Sequence, residues 1–409
     1  MTKPSQQPKG IVMAQARDVV FVDGVRTPFG KAGGVYRETR ADDLVVKAMR
    51  ELLRRNPNVP PSRIDEVAVA ATTQTGDQGM TIGRSVALLA GLPNSVPGYA
   101  IDRMCAGAMT AVTTVSSAIM AGQIDLALAG GVENMSRHPM GEGVDPNPRF
   151  LAERLVDPEA LLMGKTAENL HDRFPSITKH RADAFAVGSQ AKTAKAYAEG
   201  RIQVDLVPVA VSDGEQGWGL VTVDEVPRAD TTLTGLAGLK TPFRPHGRVT
   251  AGNSSGLTDG ATAALLAGAE IAAELGLTAK MRMVGFAFAG VEPEVMGVGP
   301  VPSTEKALSR AGLSITDIDA FEINEAFAVQ VLAFLDHFGI DDEDPRVNPM
   351  GGAIAVGHPL ASSGIRLMNY LARDFEHDRS ARYGITTMCI GLGMGGTVIW
   401  ENLNHGSAA

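Results

Sequence analysis

The sequence predicts an α/β protein built around a parallel sheet with helices on both faces. Three observations support this class. Short apolar segments of strand length alternate with amphipathic helices, glycine is frequent with 46 residues, and a pattern of the first half returns after position 284. Parallel strands need long crossover connections, which helices supply. A length of 409 residues with 44% hydrophobic content is enough for two or three domains.

In the first half, strands and helices alternate. The predicted strands cover residues 18–23, 64–71, 96–101 and 124–129, and we expect the last to stop at Gly130 and Gly131. Apolar residues recur at helical spacing after Asp42, a residue type that suits a helix N-cap. Two more helices are predicted, over 82–90 and from Met109 to about Gly122.

The composition changes after Arg137. Up to Arg248 the chain is richer in proline and charge, with one clear helix at 182–197. Large apolar residues spread through this stretch exclude a disordered linker, so we expect an inserted loop domain. The predicted organisation is a disordered tail (1–16), a first half (17–136 plus 249–283), the loop domain (137–248) and a second half (284–409).

A weak internal duplication relates the two halves. The segment around Ile64 and Asp65 is similar to the segment around Ile318 and Asp319, and each follows a helix. Cys105 and His358 lie at nearly the same offset from these segments. Two halves packed face to face would bring both residues to one cleft. Chance similarity between strand–helix units is the alternative.

Charge and cysteine content exclude several classes of protein. A net charge of −9 and a pI near 5.5 argue against nucleic acid or anionic membrane as partner. Two cysteines, Cys105 and Cys389, fit a reducing compartment better than a disulfide scaffold. Without an apolar run of about 18 residues no membrane span is expected. The sequence predicts a soluble cytoplasmic protein.

Cys105 lies between a strand and a helix, followed by small residues. A helix N-terminus lowers a thiol's pKa and favours the nucleophilic thiolate. Taken alone, a small buried apolar role is the commoner one for a free cysteine.

Three further segments carry candidate chemistry. His358 follows a glycine-rich stretch, and Pro359 suits the first turn of a helix, so the imidazole is a candidate general base. Cys389 precedes a run of glycines, which lacks the lysine and hydroxyl of a phosphate-binding loop. Asn324 follows the strand predicted at residues 320–323, and an amide at the C-terminal end of a strand can hold a water or an oxyanion. For His358 the alternative is an ordinary solvated loop histidine, and for Asn324 it is a turn-forming asparagine.

Six motifs, in this order, resemble the thiolase family. They are D-R-M-C-A-G, V-E-N-M-S-R, V-T-A-G-N-S-S-G-L-T-D-G, N-E-A-F-A, G-G-A-I-A-V-G-H-P and C-I-G-L-G-M-G-G, and the resemblance runs from about Val19 to Glu401. It implies the thiolase fold. In this fold two similar βαβαβαββ halves form a five-layer α-β-α-β-α sandwich with an inserted loop domain.

The resemblance also implies catalytic roles. Cys105 is similar to the nucleophile that becomes acylated, His358 to the base that activates it and later the thiol of coenzyme A, and Cys389 to the acid/base at the acetyl-CoA carbon. Two oxyanions need two sets of donors. By resemblance, His358 with a water held by Asn324 forms one set. The backbone N–H groups of Cys105 and Gly391 form the other.

Coenzyme A or acetyl-CoA is the implied substrate, with no permanently bound cofactor and no metal. Arg228 and Ser255 match positions that contact the nucleotide and pantetheine portions. Six residues match an apolar tunnel, with an ordinary core role as the alternative: Met163, Phe243, Ala251, Met296, Ala326 and Phe327. The resemblance implies a homodimer or homotetramer. The resemblance does not decide whether a hydratase/dehydrogenase binds as a partner.

The implied enzyme is an acyltransferase that cleaves 3-ketoacyl-CoA with coenzyme A in fatty-acid β-oxidation, and runs the reverse Claisen condensation. Leu162 stands where acetoacetyl-CoA-specific members carry a histidine, which favours the degradative group. An acetoacetyl-CoA-specific acetyltransferase is one alternative. Others are a decarboxylating condensing enzyme, a Cys/His hydrolase, and a non-catalytic acyl-CoA or sterol-binding relative.

Overall fold

The computed structural model describes residues 16–212 and 217–406. The predicted disordered tail lies, apart from Ala16, outside the described residues. The first half begins with five strands and three helices: β1 (Val19–Arg26), β2 (Gly30–Lys31), α1 (Ala41–Arg55), β3 (Glu66–Ala70), α2 (Ile82–Ala90), β4 (Gly98–Ile101), α3 (Gly107–Met120) and β5 (Leu126–Asn134).

Two local predictions in this half are wrong. The helix N-cap is Arg40, while Asp42 lies in the first turn and the Asp77 carboxylate accepts the N–H of Ala41 at 3.3 Å. Strand β5 continues through both glycines to Asn134. A Cβ at Gly131 would lie 2.2 Å from the carbonyl oxygen of Ala361, so this glycine permits a close approach of two backbones and does not end the strand.

The inserted segment lies between β5 and the strand that closes the first half. Its elements are α4 (Arg149–Ala152), α5 (Met163–Arg173), α6 (Lys179–Ala198), the hairpin β6 (Val209–Ser212) and β7 (Trp218–Val221), and α7 (Leu233–Ala237); β8 (Thr258–Gly268) follows. A buried ion pair fastens the segment to the core, since Arg26 of β1 donates to both oxygens of Asp224 at 2.6 and 2.8 Å. We propose 137–248 as its boundaries.

Helix α8 (Ala269–Glu274) leads to the second half. Its elements are β9 (Met281–Gly290), α9 (Pro300–Ala311), β10 (Ala320–Ile323), α10 (Ala328–Phe338), α11 (Ala353–Val356), α12 (Ser363–His377), β11 (Tyr383–Ile390) and β12 (Met394–Asn402). Because β9 crosses the boundary expected at 283/284, we propose that this half begins at Met281.

Strand order shows the duplication. In the first half the order is β1-β8-β5-β3-β4, and in the second half it is β9-β12-β11-β10. A single parallel bridge from Phe321 to Val347 stands where the second half would have its remaining strand. The two sets join because β1 pairs with β9 at Val20 and Phe21.

The expectation of a parallel sheet holds only for part of the sheet. β3 pairs in parallel with β4 and β5, and β10 with β11, whereas the last strand of each half runs antiparallel to its neighbours. The chain turns from β11 into β12 within residues 391–393. So short a connection can join only antiparallel strands. The sheet is therefore mixed.

Five layers are present, as the resemblance implies. Helices α1 and α2 cover the outer face of the first set of strands, α3 and α12 lie in the middle, and α9 and α10 cover the second set. The middle layer is almost wholly buried because it packs against sheet on both sides. The turns that lead into α3 and α12 contact each other, which brings Cys105 and His358 to the same region.

Candidate active site

One apolar cavity of about 390 Å³ lies where both halves and the inserted segment meet. Ten of the thirteen predicted site residues line it: Cys105, His358, Cys389, Met163, Phe243, Ala251, Ser255, Met296, Ala326 and Phe327. Of the other three, Asn324 and Gly391 stand directly behind its reactive groups, and Arg228 lies apart. The cavity is therefore the candidate active site.

Cys105 lies in a tight turn two residues before α3. The preceding Met104 has a positive φ of 45°, a strained conformation for a residue with a side chain. The Asp102 carboxylate accepts the N–H of Met104 at 2.6 Å and so holds this turn. The turn presents the half-buried thiol at the cavity wall.

The expected acidic thiol is not found. Burial raises the pKa of Cys105 to about 11, although the backbone N–H groups of Gly391 and Cys105 act in the opposite direction. Desolvation of the thiolate exceeds what these N–H groups supply. The thiol is thus protonated at neutral pH and needs a base to become a nucleophile.

His358 is held by a chain of hydrogen bonds. Its Nδ1 lies 2.6 Å from Oγ of Ser363, and that hydroxyl donates to the carbonyl of Pro359 at 3.0 Å. Since the hydroxyl proton is used there, Nδ1 carries the imidazole proton and Nε2 is the acceptor nitrogen. Pro359 precedes the helical turn as its N-cap, and is not its first residue as predicted.

The imidazole is neutral over the physiological range. Burial, together with the positive charge of Arg366, lowers the pKa of His358 to about 3. A neutral imidazole whose Nε2 is unprotonated can accept a proton. It is the base that the thiol of Cys105 requires.

Asn324 follows β10 and faces the same imidazole. Its Nδ2 lies 3.4 Å from Nε2 of His358, and its Oδ1 accepts from Arg366 at 3.0 Å. The amide is fully buried. An amide N–H beside the base is a donor for an oxyanion or for a bridging water.

Cys389 is the last residue but one of β11 and is fully buried. Burial raises the pKa of its thiol, and a negative charge on Cys105, when that thiol is ionised, raises it further. Leu392 and Gly393 then adopt positive φ angles of 60° and 74° in the turn to β12. The glycine run thus forms a turn, with the N–H of Gly391 directed at the thiol of Cys105.

The sequence did not reveal Glu133, Ser363 or Arg366. Glu133 is buried and accepts the N–H groups of Thr72 at 3.1 Å and of Ala361 at 3.3 Å, which ties the turn after His358 to the first half. Ser363 and Arg366 lie on α12, which begins five residues after His358. Polar residues within a buried helix are a signal of function. The sequence alone does not show that α12 is buried, so this signal could not be used.

Arg228 lies apart from the reactive groups. It lines a second cavity of about 440 Å³, which shares Ala251, Ser254 and Gly256 with the first. Within residues 16–212 and 217–406, no group of three or more His, Cys, Asp or Glu side chains is placed to hold a metal ion. Nor does any helix in these ranges have the length and apolarity to cross a bilayer.

Comparison with known families matches the whole folded region. The thiolase N-terminal domain matches residues 19–270, and the thiolase C-terminal domain matches residues 277–402. A 3-oxoadipyl-CoA/3-oxo-5,6-dehydrosuberyl-CoA thiolase of Escherichia coli is 45% identical, covering 95% of this chain and all of that protein. A 3-ketoacyl-CoA thiolase of Aliivibrio fischeri is 44% identical, covering 94% of this chain and 99% of that protein.

Solved structures agree with the sequence matches. The acetyl-CoA acetyltransferase of Bacillus anthracis superposes with a TM-score of 0.86 at 36% identity, covering 95% of this chain and all of that one. Human mitochondrial 3-ketoacyl-CoA thiolase also gives 0.86, at 34% identity and the same coverage. The fold, the matched domains and the identity over nearly the full length lead to one conclusion: the chain belongs to the thiolase family.

Proposed function

We propose that the protein is a 3-ketoacyl-CoA thiolase of degradative type, an acyltransferase that uses coenzyme A as substrate. The observation that carries this proposal is the meeting of two thiols, half-buried Cys105 and buried Cys389, with one neutral imidazole on a single apolar cavity. A Cys/His hydrolase would not use the second thiol. Cleavage of a carbon–carbon bond does use it, because the departing carbanion needs its own proton donor.

The first step forms a bond to Cys105. Nε2 of His358 takes the thiol proton, and the sulfur attacks the keto carbon of the substrate. The resulting oxyanion lies next to the sulfur, so the N–H groups of Cys105 and Gly391 that face this sulfur are its donors.

The second step breaks the bond between C2 and C3. The electron pair moves onto C2, and the thioester oxygen of the acetyl-CoA enolate is stabilised by His358 and Asn324. The thiol of Cys389 gives its proton to C2, and acetyl-CoA leaves. The imidazolium then returns its proton to the Cys389 thiolate, so both groups regain their initial state.

The last step transfers the acyl group. His358 takes the proton of the coenzyme A thiol, and the thiolate attacks the acyl group on Cys105. Cys105 departs as a thiolate and recovers the proton from His358. The products are acetyl-CoA and an acyl-CoA shortened by two carbons.

The cavity lining favours an apolar acyl chain. Among the described residues, the side chains that line it include no Lys, Arg, Asp or Glu. The Escherichia coli relative is named for 3-oxoadipyl-CoA, whose acyl chain ends in a carboxylate. A carboxylate buried in this cavity would have no cation to pair with, which is costly. Leu162 and Leu161 extend the apolar surface outward, which supports a chain longer than acetoacetyl.

Further assignments go with this proposal. Arg228 and Ser255 are proposed to contact the nucleotide and pantetheine portions of coenzyme A, in two adjoining cavities that can hold one extended molecule. A homo-oligomer in the cytoplasm is also proposed. Two free cysteines support a reducing compartment.

The test compares three substrates. Thiolytic cleavage of acetoacetyl-CoA, 3-ketododecanoyl-CoA and 3-oxoadipyl-CoA is measured side by side, with Cys105→Ala as control. We expect the dodecanoyl substrate to be cleaved with the highest kcat/KM and the oxoadipyl substrate with the lowest. Preference for the oxoadipyl substrate would overturn the apolar assignment. Cleavage of none of the three would overturn the proposed reaction.

A further inference from the structure

A buried arginine lies behind Asn324. Arg366 is on the first turn of α12 with no exposed surface, and its Nη2 donates to Oδ1 of Asn324 at 3.0 Å. Its Nη1 lies 3.6 Å from a carboxylate oxygen of Glu322, which is equally buried. The ring of Tyr370 lies against the guanidinium, 5.1 Å from ring centre to Cζ. These contacts fix the guanidinium on the side of Asn324 away from His358.

This contact selects one of two orientations of the amide. A half-turn of a carboxamide exchanges its oxygen and its nitrogen, which leaves the shape nearly unchanged. A guanidinium offers only donors, so Arg366 is compatible only with Oδ1 directed toward it. Nδ2 of Asn324 must then face His358. In the opposite orientation an acceptor oxygen would stand where the enolate oxygen develops its charge, and the two would repel each other.

We propose that Arg366 is a positioning residue, which holds the Asn324 amide with its N–H groups toward His358 and the enolate oxygen. The inference rests on the proposed thiolase function and adds a residue to it. It assigns Arg366 to the step that breaks the carbon–carbon bond. Formation and transfer of the acyl group at Cys105 use the other set of donors.

The surroundings of Arg366 support this role. Glu322 and Asp374 are both buried, and Arg201 donates to Asp374 at 3.0 Å. Burial raises the pKa of Glu322 well above its usual range and that of Asp374 to about 7. Nη1 of Arg366 is too far from Glu322 for a hydrogen bond, so among the described residues the guanidinium makes its hydrogen bond to Asn324.

The test measures carbon–carbon cleavage and acyl transfer separately, and it asks whether Arg366 acts through Asn324. The variants are Arg366→Met, Asn324→Ala and the double variant, with Arg366→Lys as the conservative replacement. Arg373→Met is the matched control, since Arg373 lies on the same helix but pairs with Asp205 at 2.9 Å, away from the cavity. Each protein is assayed for cleavage of 3-ketododecanoyl-CoA. Each is also assayed for exchange of the acyl group between decanoyl-CoA and labelled coenzyme A, which forms no enolate.

We expect Arg366→Met to lower kcat for cleavage about 100-fold, as loss of an oxyanion donor does, and to lower exchange less than about tenfold. The double variant should be no worse than Asn324→Ala, within about threefold, because Arg366 acts through that amide. Arg366→Lys should lose less than Arg366→Met, and Arg373→Met should keep both reactions.

Two results would overturn the role of Arg366. One is an equal loss of cleavage and exchange, which indicates a general structural defect. The other is a double variant whose loss is the product of the single losses. Exchange without cleavage in the unmodified protein, or neither reaction, would instead overturn the proposed function itself. If Arg366→Met does not fold, the same comparisons apply to Arg366→Lys.

Discussion

Cys105 and His358 occupy corresponding positions in the two halves, each in the turn that leads into the central helix of its own half. Cys105 precedes α3 by two residues, and His358 lies shortly before α12. The two central helices pack against each other. A nucleophile and a base thus come from equivalent turns of the two halves. Their separation depends on how the halves pack, and not on any one loop.

The two cysteines should be separable by experiment. Cys105→Ala should abolish formation of an acyl-enzyme, because the attacked carbon has no nucleophile. Cys389→Ala should still be acylated by decanoyl-CoA but should lose cleavage of 3-ketoacyl-CoA by at least about 100-fold, because the carbanion has no proton donor. Mass spectrometry of the intact protein measures acylation. An acyl adduct on Cys105→Ala would contradict the assignment of the nucleophile.

Ser363 should orient the base. Ser363→Ala removes the acceptor for the Nδ1 proton of a buried imidazole, which costs about 1–3 kcal/mol and should lower kcat/KM roughly tenfold or more. Ser362→Ala is the matched control, since its hydroxyl also donates to Pro359 at 3.0 Å without contacting His358. Steady-state kinetics on both variants make the comparison. Equal losses would show that the turn, and not the imidazole, is affected.

The pH dependence of stability should reveal the buried imidazole. The pKa of His358 is about 3 in the folded protein and near 6.5 when unfolded, so the unfolded chain binds more protons between these values. This group therefore stabilises the fold less as pH falls below 6.5, by at most about 1.4 kcal/mol per pH unit. His358→Gln should lose stability less steeply. Urea unfolding between pH 4 and 8 measures the difference, and parallel curves would contradict the depressed pKa.

Two glycines should respond in opposite directions to alanine. At Gly131 the new methyl group would meet the backbone of Ala361 at 2.2 Å, so Gly131→Ala should lower stability by several kcal/mol and reduce activity. Gly188 lies within α6 with open space around it. Gly188→Ala should raise stability by about 0.5–1 kcal/mol without affecting activity. Thermal unfolding of both variants checks this, and a stable Gly131→Ala would contradict the close approach.

The sequence predicts the order of elements well, because apolar periodicity reflects local geometry. Helix α2 and strand β10 begin and end where expected. The prediction that β5 ends at Gly130 and Gly131 is wrong. Gly131 allows a close contact with Ala361, which lies more than 200 positions further along the chain. Apolar periodicity also did not show that the last strand of each half runs antiparallel to its neighbours. The direction of pairing depends on which strands meet in the fold, and this is not a local property of the sequence.

The electrostatics of the site were harder to predict from the sequence than its elements were. The position of Cys105 before a helix predicts an acidic thiol, but burial has the larger effect and raises its pKa. Which groups are desolvated depends on how α3, α12 and the inserted segment pack together. For the same reason Ser363 and Arg366 could not be recognised. Their partners are Nδ1 of His358 and Oδ1 of Asn324, and each contact exists only after the turns have met.

The closing strand of the first half has a consequence for biosynthesis. β8 pairs with both β1 and β5, and the whole inserted segment lies between β5 and β8 in the chain. In the described sheet β1 pairs only with β8 and β9. Apart from a single bridge between Arg26 and Leu206, β1 therefore has no strand partner until some 240 further residues have been made. Contacts of such long range slow folding and leave strand edges open to aggregation. Newly made chains thus keep the edges of β1 and β5 exposed until β8 has been made.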